Sequence, residues 1–257
     1  MKDPFILAGQ KFSSRLILGT GKFSSPEIMK KAIQAAGTGM VTVALRRVNL
    51  QSPSDALLQS LDPREYVILP NTSGAQNADE AIRLARLAKA SGISDWIKLE
   101  VTPDPRYLLP DNEETLKAAL VLVKEGFKVM PYINADPVLA KKLEEAGTVS
   151  VMPLGSPIGS NKGLKTLEML QIIIEMSGIP VIVDAGIGAP SDAAFAMELG
   201  ADAVLINTAI ATAPDPVLMA ESFSLAVQSG RKAFLCGLPQ EHSHARASSP
   251  IDWISKI

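Results

Sequence analysis

Short apolar, β-branched runs recur along the chain at 16–18, 41–43, 67–69, 96–99, 129–132, 149–152, 181–183 and 204–206. Each is bounded by polar or glycine-containing stretches, so the pattern predicts eight strands. Between them, apolar residues return at helical spacing. Ala78, Ala81, Ile82 and Ala85 form one i, i+3, i+4, i+7 stripe, and Leu116, Ala119, Leu120 and Val123 form another. Both segments are predicted helices with one buried face. Asp111, three residues before Glu114, has the spacing of a capping box, in which each side chain accepts a free backbone N–H of the first turn. Gly92, Gly126, Gly147, Gly178 and Gly200 each follow a helical stretch and precede an apolar run, the usual place for a left-handed helix terminator.

Strands that are apolar on both faces and alternate with helices imply a parallel sheet covered by helices. Eight such units without a change of composition predict an α/β fold, a single (β/α)₈ TIM barrel over residues 1–257 with an irregular tail from about 238. The length of 257 residues suits one barrel of about 250 residues. An open, doubly wound sheet is the alternative, but Gly19-Thr20-Gly21-Lys22-Phe23 lacks the third glycine of a dinucleotide fingerprint.

Composition narrows the partners. Lys plus Arg number 25 against 27 Asp plus Glu, so no overall field draws the chain to nucleic acid or to an anionic membrane, and any phosphate recognition must be local. No stretch approaches the ~18 apolar residues of a spanning helix, and the apolar run at 5–7 is too short for a signal peptide; the cytoplasm is the expected location. The lone cysteine, Cys236, excludes an internal disulfide or a thiolate cluster and reads as a buried small residue. His242 and His244 form an H-x-H pair with no third ligand near in sequence, so no metal and no cofactor are expected. Arg231-Lys232 and Arg46-Arg47 read as solvated charges, although Arg46-Arg47 follows the second strand, where it could face a site.

In a barrel the C-terminal strand ends carry the chemistry. Alternation in Trp96-Ile97-Lys98-Leu99-Glu100-Val101 puts Trp96, Lys98 and Glu100 on one face, pointing inward, and leaves Ile97, Leu99 and Val101 to pack on helices. A buried lysine needs a partner or a lowered pKa. Burial that left Lys98 a neutral amine would make it a Schiff-base nucleophile; an ion pair with Glu100 would merely fill the barrel mouth. The pattern alone leaves both open. Asp184, ending the seventh strand, reads either as an acid/base catalyst or as an acceptor for the glycine turn after it. Gly155-Ser156-Pro157-Ile158-Gly159-Ser160, Asp184-Ala185-Gly186-Ile187-Gly188 and Asn207-Thr208-Ala209 each follow a strand and suit backbone N–H recognition of phosphate.

These segments, together with Gly19-Thr20-Gly21-Lys22, Val41-Thr42-Val43-Ala44-Leu45-Arg46-Arg47, Leu69-Pro70-Asn71-Thr72 and Met152-Pro153-Leu154-Gly155, resemble the signature segments of bacterial thiazole synthase. The resemblance runs in order from about Leu16 to the Ala247-Ser248-Ser249-Pro250 tail. Ser73 and Ala75 stand where the family often has alanine and cysteine, and Cys236 where alanine is usual. The resemblance implies a (β/α)₈ enzyme of thiamine biosynthesis that condenses 1-deoxy-D-xylulose 5-phosphate with dehydroglycine (2-iminoacetate) and with sulfur from a thiocarboxylated sulfur-carrier protein. It implies an imine on Lys98, acid/base roles for Glu100 and Asp184, and substrate binding at Gly159, Ala185, Gly186, Asn207 and Thr208. It further implies a homo-oligomer and association with the dehydroglycine-producing enzyme. A class I aldolase on a sugar phosphate, and a non-catalytic phospholigand-binding barrel, are the competing readings.

Overall fold

Each apolar run contributes a parallel strand to one closed barrel in the computed structural model, which describes residues 3–47 and 59–248. A hairpin, β1 (Phe5–Leu7) and β2 (Gln10–Phe12), precedes the barrel strands β3 (Leu16–Gly19), β4 (Met40–Ala44), β5 (Val67–Asn71), β6 (Trp96–Leu99), β7 (Lys128–Ile133), β8 (Met152–Pro153), β9 (Ile182–Asp184) and β10 (Ala203–Ile206). Neighbours run in the order β8-β7-β6-β5-β4-β3-β10-β9, and parallel bridges Val151–Val181 and Leu154–Asp184 join the last strand to the first. Helices α1 (Pro26–Ala36), α2 (Ala78–Ala90), α3 (Asn112–Lys124), α4 (Pro137–Glu145), α5 (Leu167–Met176), α6 (Pro190–Glu198), the short α7 (Thr208–Ala211) and α8 (Pro216–Cys236) alternate with the strands. After Cys236 the described chain has no regular element.

The barrel interior is built in two layers of opposite character. Its lower layer is apolar: Trp96, Met130, Met152 and Ile182 pack with Phe5, Leu7 and Phe12 of the hairpin, and Phe12 meets Trp96 edge-on with ring centroids 6.1 Å apart. The hairpin thus plugs the bottom. The hydrophobic pattern did not predict it because each strand has only three residues, too few to display a period. Its turn is formed by Ala8 (φ 45°) and Gly9 (φ 77°), the left-handed pair that a two-residue hairpin requires.

Several local expectations change once the helices are packed. The α2 stripe is buried as predicted, Ala78, Ala81, Ile82 and Ala85 together with Ala88. In α3 the buried stripe is Thr115, Ala118, Ala119 and Leu122, one residue back from the predicted one, and Leu120 is exposed. Two overlapping stripes satisfy the same period there, and the one with two alanines lets α3 approach α2 and the sheet more closely. The capping box is only half formed. Asp111 Oδ1 accepts the Glu114 N–H at 3.0 Å, but the Glu114 carboxylate accepts the Ala78 N–H of α2 at 2.6 Å, while the Asp111 N–H goes to the Val101 carbonyl. Gly178, unlike the other four predicted terminators, has no positive φ; its N–H donates to Glu144.

One burial assignment and one charge assignment are also corrected. Cys236 is exposed, because the last turn of α8 extends past the helices that bury its middle. Arg231 is not a solvated charge: its guanidinium grips Asp3 in a two-pronged bond of 2.8 and 2.9 Å. No described helix is long and apolar enough to cross a membrane. His242 and His244 are exposed, and no group of three or more His, Cys, Asp or Glu among the described residues could hold a metal ion.

Candidate active site

The upper layer of the barrel interior is polar. Trp96 and Lys98 follow the inward face of β6, while Ile97, Leu99 and Val101 pack outward among α2 and α3, so period two delivers the lysine into the barrel. Lys98 lies opposite Asn71 on β5 and opposite Met130 on β7. Beyond Leu99 the strand geometry is continued by a side chain: the Thr72 hydroxyl donates to the Glu100 carbonyl at 2.7 Å and accepts the Glu100 N–H at 2.8 Å. Thr72 is fully buried. It acts as a positioning residue that keeps Glu100 extended and its carboxylate inward.

Asp184 arrives from the far side of the barrel at the end of β9, and the three charged groups converge. Lys98 Nζ lies 2.6 Å from Asp184 Oδ2 and 3.1 Å from Glu100 Oε1, with side-chain exposures of 5, 3 and 5% for Lys98, Asp184 and Glu100. Removing such groups from water costs several kcal/mol each unless they are paired. Burial alone would push the Lys98 pKa down, but the charges of Asp184 and then Glu100 outweigh it and hold the ammonium above its ordinary range. Of the two readings the pattern left open, the resting geometry is that of the ion pair, with Asp184 joining Glu100: Lys98 rests as a cation between two carboxylates. Asp184 is shifted upward, chiefly by burial, with Lys98 opposing and Glu100 reinforcing the shift. A carboxyl group that binds protons more readily, in contact with an ammonium, is a ready acceptor for the lysine's proton.

Tyr132, also fully buried, closes one side, its ring centroid 5.5 Å from Lys98 Nζ. Burial, with Asp184 and Glu100 adding to it, pushes its phenol pKa up, so the ring stays neutral.

Above this cluster opens a cavity of about 430 Å³, a size suited to a small metabolite. One wall is made of the loops after β8, β9 and β10. Gly159, Ala185, Gly186, Asn207 and Thr208 all line it, so the five residues predicted to bind substrate do come together above Lys98. The wall depends on close backbone approach. A β-carbon on Gly186, whose φ is 79°, would sit 2.5 Å from the backbone nitrogen of Ser156. The Gly186 carbonyl accepts the Gly163 N–H at 2.8 Å, and the Ser156 hydroxyl donates to the Gly163 carbonyl at 2.8 Å, so the two glycine loops brace each other. Asn207 Oδ1 is buried without a hydrogen-bond partner, an acceptor left for a donor on a ligand.

Sequence reasoning assigned no role to Thr72, Tyr132 or Lys22. Lys22 lines the cavity, with Nζ close enough to Gly159 that a β-carbon there would lie 3.3 Å from it, and 3.7 Å from Thr208 Oγ1. Its signal in the sequence was its place in Gly19-Thr20-Gly21-Lys22, directly after the first barrel strand. Arg46 also reaches the cavity, as its position after β4 suggested; the Arg47 side chain lies outside the described residues, as do Ser249 and Pro250.

Comparison with known proteins adds an independent line. A family model described as thiazole biosynthesis protein ThiG matches residues 6–250. A thiazole synthase of Syntrophobacter fumaroxidans is 62% identical over 251 residues, covering 98% of each chain. One from Moorella thermoacetica is 56% identical over 251 residues, again covering 98% of each. Among solved structures, a chain of the BexX/CysO complex of Amycolatopsis orientalis is similar with a TM-score of 0.85 and 31% identity, over 95% of this chain and 100% of that one. A thiamine phosphate pyrophosphorylase of Pyrococcus furiosus, with a TM-score of 0.58 and 16% identity over 84% of this chain and 95% of that one, shares the fold alone.

Proposed function

The chain belongs to the thiazole synthase family of thiamine biosynthesis, and from that membership we propose that it builds the thiazole phosphate ring on Lys98. Its substrates are 1-deoxy-D-xylulose 5-phosphate, dehydroglycine, and sulfur delivered by a thiocarboxylated carrier protein. The observation that carries this reading is the clasp of Lys98 between Asp184 and Glu100 at the floor of a cavity walled by glycine loops.

The Lys98 ammonium passes a proton to Asp184, 2.6 Å away, and the free amine attacks the ketone carbon of the sugar phosphate. The carbinol oxygen takes up a proton and leaves as water, giving an imine. The imine withdraws electrons, so the adjacent carbon loses a proton to Glu100 or Asp184, and reprotonation moves the carbonyl one carbon along the sugar. The carrier's thiocarboxylate sulfur attacks that new carbonyl carbon, and the carrier's acyl group shifts from sulfur to the carbinol oxygen and leaves with it as a carboxylate. Addition of dehydroglycine with loss of water closes the ring as its nitrogen displaces the Lys98 amine. The phosphate rests on backbone N–H groups of the Gly159, Ala185–Gly186 and Asn207–Thr208 loops, with Lys22 supplying the counter-charge. A carrier protein as partner is supported by the similarity to a chain solved as part of a two-protein complex. The lone cysteine supports it too, since the chain has no pair of thiols with which to relay sulfur itself. Self-association and contact with a dehydroglycine-producing enzyme complete the proposed setting.

Mass spectrometry after incubation with 1-deoxy-D-xylulose 5-phosphate and borohydride, with and without thiocarboxylated carrier, tests the reading. A reduced sugar-phosphate adduct on Lys98 is expected without carrier, and a sulfur-containing species with it. An adduct indifferent to the carrier, or carbon–carbon cleavage without any sulfur donor, overturns it in favour of an aldolase.

A further inference from the structure

Strand order divides the cavity into two halves. Gly159, Gly186, Thr208 and Lys22 come from the adjoining β8, β9, β10 and β3 and form the phosphate half. The opposite half comes from β4, β5 and β6 and presents Thr42, Ala44, Arg46, Asn71 and Ser73 around Lys98. Three cations line the cavity among the described residues: Lys22, Lys98 and Arg46. Lys98 is held by two carboxylates, and Lys22 sits beside Gly159 and Thr208. Arg46 makes no described ion pair or hydrogen bond, and its guanidinium passes over Gly74: a β-carbon there would lie 3.7 Å from Nη1.

The proposed reaction brings a second anion into this space. Dehydroglycine carries a carboxylate and must approach a carbon skeleton anchored on Lys98, past Glu100, Asp184 and a bound phosphate, all of which repel it. We infer that Arg46 forms a second anion subsite, in the half of the cavity opposite the phosphate loops, that takes the carboxylate of an α-imino acid. This inference rests on the thiazole-forming reading above. Ala44, with its small side chain, lines the same half of the cavity, and the planar fork of arginine matches a carboxylate in two parallel hydrogen bonds. The subsite makes Arg46 a specificity-determining residue: it selects an acid over a neutral imine.

The carrier's terminal thiocarboxylate is an anion of the same shape, so the test separates the two. Glyoxylate with ammonium serves as the iminoacetate source and methyl glyoxylate with ammonium as its neutral counterpart, using full-length protein with deoxyxylulose phosphate and thiocarboxylated carrier. In Arg46→Met the half-saturating glyoxylate concentration rises at least ~10-fold and the preference of the unaltered protein for acid over ester disappears. Arg46→Lys, which keeps the charge without the fork, recovers part of both. Borohydride trapping of the sugar phosphate on Lys98 and the half-saturating carrier concentration both stay within about twofold of the unaltered protein. An unmoved acid/ester preference overturns the inference, as does a shift in carrier saturation in place of glyoxylate saturation. Failure of the unaltered protein to trap the sugar phosphate marks instead the failure of the reading on which it rests.

Discussion

Two charge clusters sit at opposite ends of this barrel, and their composition separates chemistry from construction. At the bottom, Asp3 is gripped by Arg231 and Arg15, and Arg15 also donates to the Asp202 carbonyl at 2.6 Å. Two cations and two carboxylates, counting Asp202 at 3.8 Å from Arg15, balance one another and tie the N-terminal segment to α8 and the start of β10. At the top, one cation faces two carboxylates in deeper burial, and the cluster opens onto a cavity. A balanced network of fixed guanidinium forks has nothing to exchange. An unbalanced one built around a lysine has a proton to move and an amine to release, at the cost of burying an uncompensated negative charge.

Conservative replacement of the cation gives the largest contrast. Lys98→Arg keeps the charge between Asp184 and Glu100 but removes the amine, and a guanidinium does not deprotonate; thiazole formation falls by at least ~10⁴-fold and no sugar-phosphate adduct is trapped. Lys98→Met removes the charge and leaves two buried carboxylates facing each other. One of them then takes up a proton, so the thermal stability of Lys98→Met, measured against the unaltered protein, recovers between pH 8 and pH 5. A pH-independent deficit would show that neither carboxylate takes up a proton in place of the lost cation.

Removing one carboxylate sharpens the same point. Asp184 and Glu100 raise the Lys98 pKa against the effect of burial, so Asp184→Asn lowers it and also deletes the nearest proton acceptor. The rate of borohydride-trapped adduct formation drops about 10²- to 10⁴-fold near neutral pH, and its rise with pH moves to lower pH. An unmoved pH limb would mean that Asp184 only orients the glycine turn. Because a raised lysine pKa contributes stability below its unfolded value, near 10.4, and loses it only as pH rises through the folded one, the resting ion pair is intact across the neutral range. The free amine arises by transfer within the cluster.

The sequence displayed the part of this arrangement that local periodicity controls. Alternation at 96–101 was enough to turn Lys98 and Glu100 inward and Ile97 and Leu99 outward, and glycine after each strand marked the phosphate wall. Features decided by distant partners were not displayed. Asp184 was visible as a strand end, but its contact with Lys98 exists only because the barrel closes through the bridges between β8 and β9. Glu114 looked like its own helix's cap and instead caps α2. Arg231 looked solvated because Asp3, its partner, lies at the other end of the chain. The direction of the Lys98 shift stayed open for the same reason: burial of a lysine and a neighbouring Glu100 are local knowledge, whereas the second carboxylate, Asp184, is tertiary.

The smallest expected effects belong to the bottom cluster, where activity and stability should separate. The Arg231 hydrogen bond, and then the nearby Arg15 charge against some opposing burial, hold the Asp3 carboxyl below its ordinary range. A depressed carboxyl pKa contributes stability above the unfolded value near 3.9 that is lost as pH falls through the folded one, so this cluster protects the fold down to about pH 4 and fails in stronger acid. Asp3→Asn removes the charge from a two-pronged bond and costs about 2 kcal/mol, a fall of roughly 4–8 °C in Tm for a chain of this size, measured at pH 7; the difference between the variant and the unaltered protein shrinks as pH falls below the unfolded carboxyl value near 3.9. Arg231→Lys keeps one contact and the charge and costs about 1 kcal/mol. In both variants Lys98 trapping proceeds at the unaltered rate. A loss of trapping out of proportion to the loss of stability would mean that the two ends of the barrel are coupled through the Trp96 layer between them, and that the bottom cluster is part of the machinery after all.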